Sequence, residues 1–268
     1  MIWFDNYRTQ EDNALKVKNT RTGIVTKYGL KLFAICFWLL VWELASIRIG
    51  YELLLPSPIA VLKTLVVLIW SLDFWQTILF SSVRIIAGFV IALISGTVLA
   101  ILAYRFRLIE ELVSPLMKII KAMPVASFII LALVWIKSKN LSVLISFTML
   151  FPMIYSSVEQ GLKEADRKLL QMAQVFRLGL WKRAIAIYIP SVKPFFLTAI
   201  TVGLGFSWKA GIAAEVIGIP SGSIGEKLYE AKLYWMTKEL LAWTVVIVLI
   251  SFLFEKVILW LIHPERRI

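Results

Sequence analysis

Histidine and cysteine are nearly missing from this 268-residue chain, with His263 and Cys36 the single example of each. One histidine near the C-terminus leaves no material for a histidine-based triad or metal site. One thiol inside an apolar block cannot form an internal disulfide. Charge is scarce too: 17% of residues are charged and 60% hydrophobic, against about 25% and about half in an ordinary soluble domain. No G-x-x-x-x-G-K-[ST] run is present, and GSIGEK (222–227) has the wrong spacing, so the chain holds no loop that cradles nucleotide phosphates. No internal repeat stands out, which weakens a secondary transporter or channel of the inverted-repeat kind. Nor do His, Cys or carboxylates cluster as a membrane-anchored enzyme would need.

What the chain has is apolar sequence in blocks of about 20 residues, the length that crosses a hydrocarbon core as a helix, and a mean hydropathy of +0.82. Spans are predicted over 30–47, 75–103, 109–136 (interrupted by Pro115 and Pro124), 141–158, 194–214 and 240–262. Pro56 and Pro58 precede a further, moderately amphipathic helix. The pattern predicts an all-α membrane protein of about six transmembrane helices. A polar tail occupies residues 1–28, and a transmembrane domain covers 29–268 with a cytoplasmic loop over about 160–190. The first block follows a charged tail and lacks a small-residue cleavage site, so it is taken as a retained span.

The net charge of +12 resides mostly in the short connections. Arg105, Arg107, Lys163, Arg167, Lys168, Lys182 and Arg183 fall on one side and fewer cations on the other, a positive-inside bias that places both termini in the cytoplasm. The same distribution argues against nucleic acid as a partner.

The segment QMAQVFRLGLWKRAIAIYIP (171–190) lies between two spans on the predicted cytoplasmic side. On a helical wheel Leu169, Met172, Ala173, Phe176 and Leu180 share one face, and Gly179 is predicted to break the helix. Such a helix either lies flat on lipid or enters a groove on a soluble partner.

Several spacings here resemble the cytoplasmic loop of ABC importer permeases of the binding-protein-dependent family. Its pattern is Glu-Ala-Ala, three residues, Gly, nine residues, Ile, one residue, Leu-Pro. Gln171, Met172 and Ala173 take the first three places, Arg177 the Gly place, Ile187 the Ile place, and Ile189-Pro190 the Leu-Pro. Trp181 and Pro194, with PSPIAV, SSVRIIAGFVIA, IIKAMPVASFIILALVWI and FSWKAGIAAEVIG in order, resemble the branch importing sulfonates, taurine, nitrate and similar solutes. Gln171, Met172 and Arg177 depart from the pattern.

The resemblance implies a non-catalytic permease subunit in the bacterial inner membrane, forming the path for a small, anionic or polar solute. It implies two separate ATPase subunits carrying ATP and magnesium, with no cofactor on this chain. It also implies a second permease copy as a homodimer, an extracytoplasmic solute-binding protein, and surrounding membrane lipid. The ATPase-docking residues would be Leu169, Gln171, Met172, Ala173, Phe176, Arg177, Gly179, Trp181, Ile187 and Pro190.

Charges inside the spans are expensive facing lipid. Lys118 and Lys121 are predicted to snorkel to the inner interface. Arg84 and Glu215 stand where the family resembled commonly has the same residue types, which implies structural pairing for both, and secondarily they join Trp208 and Lys209 as lining the translocation path. Lys209 either faces that path, favouring an anionic solute, or pairs with a carboxylate.

Overall fold

The computed structural model describes residues 29–262, with side chains to Trp260. Predictions for residues 1–28 and the final HPERRI fall outside the described residues. The chain divides into two compact units, Met1–Lys63 and Thr64–Ile268.

In the first unit, α1 (Gly29–Ile49) is a span-length apolar helix. The chain after it folds back on polar side chains of α1. The Trp42 indole N–H donates to the Pro56 carbonyl at 3.1 Å, and the Ser46 hydroxyl to the Leu55 carbonyl at 2.7 Å. Helix α2 (Pro58–Ile69) starts on a proline, whose fixed φ suits a first helical turn.

The second unit is built on three long helices: α3 (Leu72–Arg105), α6 (Ser138–Lys163) and α9 (Ile189–Gly218). Helix α3 opens on Ser71, whose hydroxyl accepts from the Phe74 N–H at 3.2 Å. Asp73 in its first turn and Arg105 in its last suit the helix dipole. Its buried face runs Ser81, Ile85, Gly88, Phe89, Ala92, Gly96, Ala100, at helical spacing and mostly small. Small faces matter in lipid, where close van der Waals approach rather than water exclusion drives helix association. Gly88 lies against Val143 and Ser146, and Gly96 against Ile154, so α3 and α6 run parallel. Gly203 meets Leu150 and Gly161 meets Val192, so α9 runs antiparallel to α6. Phe89, Leu150, Ile154, Ile200 and Leu204 fill the shared core.

Helices α4 (Arg107–Ala122) and α5 (Val125–Ala132) meet at a 104° bend. Of the two prolines predicted to interrupt this segment only Pro124 does so. Met123 before it is extended (φ −74°, ψ 126°), as the proline ring requires of its predecessor, whereas Pro115 stays inside α4. Among the described residues five helices are long and apolar enough to span, or six when the bent pair is counted as one span.

Three short helices complete the described residues: α7 (Arg167–Val175), α8 (Leu180–Arg183) and α10 (Ile224–Leu233), before the last span α11 (Thr237–Ile262). The polar excursion after α9 is thus partly helical. Ser223 caps α10 by accepting from the Glu226 N–H at 3.0 Å.

Candidate functional site

The loop between α6 and α9 holds the candidate docking element. Asp166 opens α7, its carboxylate accepting from the Lys168 N–H at 2.7 Å. The helix closes on a two-bond motif in which the Arg177 N–H donates to the Gln174 carbonyl at 3.0 Å and the Leu178 N–H to Ala173 at 2.9 Å. Such a motif needs a left-handed residue between helix and exit, usually glycine. Here that residue is Arg177, at φ 49°. Gly179 was predicted to break the helix. It sits instead at φ −62° as the N-cap of α8, a conformation open to any residue. The break falls two residues earlier, in the glycine place of the family pattern.

Helix α7 has two unlike faces. Ala173 is 2% exposed and packs with Ala165, Ile187, Leu170 and Leu178 in a small core of the loop's own. Leu169, Met172, Val175 and Phe176 are 45%, 53%, 79% and 69% exposed. Gln171 and Arg177 are exposed, as are Trp181 and Leu180 on the next helix and Pro190. The wheel that grouped Ala173 with the outward apolar residues is therefore corrected. A methyl side chain is the smallest on that wheel, and it seats the helix on the chain. Ile187 does the same from the other side.

Arg183, outside the predicted docking set, fixes the geometry. Its Nε donates to the Leu178 carbonyl at 2.8 Å and its Nη2 to Ala173 at 3.5 Å. A cation thus satisfies the Leu178 carbonyl just past α7 and adds a second, longer bond to the Ala173 carbonyl that the Leu178 N–H already engages. Arg183 belongs to α8, which continues through a π-helical turn (Ala184–Tyr188) into α9. The stretch Leu180–Gly218 is one helix of 39 residues, about 58 Å long at 1.5 Å per residue. So α7 follows α6 through a short turn and is clamped to the foot of α9. At the same end Lys163 bonds both Glu110 and Glu159 at 2.7 Å, tying α4 to α6. Lys121 does not simply snorkel: its ammonium donates to the Ser156 hydroxyl at 2.6 Å.

The charges within the spans take their close contacts from other groups. Glu215 is fully buried. Its Oε2 accepts from the Ser81 hydroxyl at 2.6 Å and from the Gly225 N–H at 3.4 Å. Ser81 in turn accepts from the Ile224 N–H at 2.9 Å. The carboxylate therefore sits at the N-terminus of α10, where free N–H groups and the helix dipole favour a negative charge. It joins α3, α9 and α10. No ion pair to Arg84 forms among the described residues. The Arg84 guanidinium stacks 3.5 Å from the Phe80 ring centroid instead. Trp208 is 1% exposed and packs on Phe254. Of the four residues predicted to line a path, only Lys209 stands exposed.

A bundle of long apolar helices, with the short helix α7 clamped in the connection between two of them, defines a multi-pass membrane protein. Residues 88–263 match the family described as binding-protein-dependent transport system inner membrane component, and the chain belongs to that family. It is similar to a probable ABC transporter permease protein of Brucella melitensis, with 27% identity over 214 residues, 79% of this chain and 85% of the relative. It is similar also to the bicarbonate transport system permease protein of Synechococcus elongatus (25% over 246 residues, 87% of each chain). The taurine transport system permease protein of Escherichia coli shares 24% over 220 residues, 80% of each chain. The protein is a permease component of binding-protein-dependent ABC transport.

Proposed function

We propose that this chain forms the membrane path of an ATP-driven importer and takes its drive from separate ATPase subunits that grip α7. The observation that carries this reading is the split of α7. Its small face is fixed to the chain while Leu169, Met172, Val175 and Phe176 stand uncovered, the arrangement of an amphipathic helix made for a partner's groove. Two ATPases binding ATP and magnesium would each hold one α7 of a pair of permease copies, with the docking side of the membrane cytoplasmic. As they close and reopen, α7 would carry α6 and the 39-residue α8–α9 helix with it, turning the bundle alternately inward and outward. The chain itself binds no nucleotide in this scheme. An external binding protein would deliver the solute. Relatives named for bicarbonate and taurine transport and the exposed Lys209 favour a small anionic or polar solute.

Phe176→Asp tests the docking face. It places a charge in the proposed contact without touching the packed side of α7. ATP-coupled uptake and co-purification with the ATPase are expected to be lost while insertion into the membrane is kept. Uptake at the wild-type rate overturns the reading in favour of a helix resting on lipid.

A further inference from the structure

We propose that the groove where α3, α6 and the α8–α9 helix converge seats one anionic phospholipid, with an acyl chain along its floor and the phosphate at Arg105 and Lys193. The groove has a volume of about 630 Å³, within the range of sites that hold drug-sized ligands. Its floor is apolar, with Ile101, Val192 and Phe196 among its lining. Two cations line the same groove, and neither Arg105 nor Lys193 pairs with a carboxylate among the described residues. An apolar floor with two cations that no carboxylate pairs among the described residues is complementary to a molecule that is oily at one end and anionic at the other.

The level in the membrane agrees. Arg105 is the last residue of α3, where the apolar span stops. Tyr104 and Tyr188 meet edge to face at that level, ring centroids 5.8 Å apart, and tyrosine favours the headgroup zone. Basic pockets between spans at the membrane surface are where anionic headgroups bind. The groove also touches the π-helical turn, through Ala184 and Tyr188. An acyl chain there would press on the joint between the clamped foot and the span. Its influence on transport rests on the coupling reading above, whereas lipid binding does not.

The full chain is assayed in nanodiscs of phosphatidylethanolamine with and without phosphatidylglycerol, and retained lipid is counted by native mass spectrometry. Wild type is expected to keep phosphatidylglycerol preferentially. Arg105→Gln with Lys193→Gln should lower its retention by roughly tenfold or more, from two surface cations lost. Lys137→Gln with Lys139→Gln removes equal charge at the opposite end of α6 and should leave retention unchanged. A photoactivatable acyl chain on phosphatidylglycerol should label Ile101, Val192 or Phe196. Equal retention by the Arg105/Lys193 variant overturns the proposal, as does labelling elsewhere or capture of a protein segment in the groove. ATP-driven uptake is measured in parallel. Loss of lipid preference with intact coupling removes the lipid seat alone, and intact lipid retention without ATPase dependence removes the coupling reading alone.

Discussion

Arg177 holds a backbone conformation that an L-residue with a side chain adopts at a cost of about 1 kcal/mol or more, at φ 49°. Replacement by glycine, which visits this region freely, should firm the end of α7. Arg177→Gly is expected to slow hydrogen exchange of the α7 amides about fivefold, and unchanged exchange would mean the turn is not strained. Glu215 gives a second prediction. Ser81→Ala would strand the Ile224 N–H and remove a donor from the buried carboxylate, at a cost of about 1–3 kcal/mol. Gly225→Ala would drive a methyl into the Glu215 backbone. Both variants should melt earlier in detergent than wild type, and a matching melting point would show the node to be dispensable.

At the scale of elements, the apolar blocks were legible because twenty unbroken apolar residues have few alternatives in water or lipid. Their order and the bent third segment follow from composition and from Pro124. The docking helix was legible in position and less so in its ends. Its terminus sits on an arginine in a left-handed turn, and nothing in an arginine signals that geometry. The inward role of Ala173 was hidden for a related reason: a wheel groups residues by angle and cannot say which side another segment covers. Helix α10 carried a readable start in Ser223 with Glu226 three residues on, a helix-opening pattern that the polarity of the segment obscured. The Arg183 clamp was invisible, since it depends on how the loop folds back. Its test is Arg183→Met, which keeps much of the aliphatic length and removes the bonds to Leu178 and Ala173. If the clamp transmits motion, ATP hydrolysis by the assembled complex should persist while uptake falls. A parallel fall of both would point to misfolding of the loop.

At the scale of the whole molecule, one face of α9 is left uncovered by the described residues. Thr198, Val202, Phe206, Lys209, Ala213 and Ile217 recur at three- and four-residue intervals and all are exposed. On the two-copy reading proposed above, this face would line a shared path, with Lys209 as its cation. Lys209→Met should then lower uptake of an anionic solute by about tenfold, the worth of one moderately screened charge contact. Binding of that solute by the external binding protein should be unaltered. Unchanged uptake would place Lys209 outside the path.

The carboxylate of Glu215 also bears on how the protein is made. Ser81 precedes it by 134 positions and is synthesised well before it, but the Gly225 amide follows it in the chain. A nascent polypeptide ending short of α10 would carry a half-solvated acid inside the bilayer, a defect of the sort that quality-control proteases act upon. Completion of that small helix should therefore matter during biogenesis: chains truncated before Gly222 are expected to be cleared far faster than those ending after Leu233, and equal lifetimes in a pulse-chase would show that it does not.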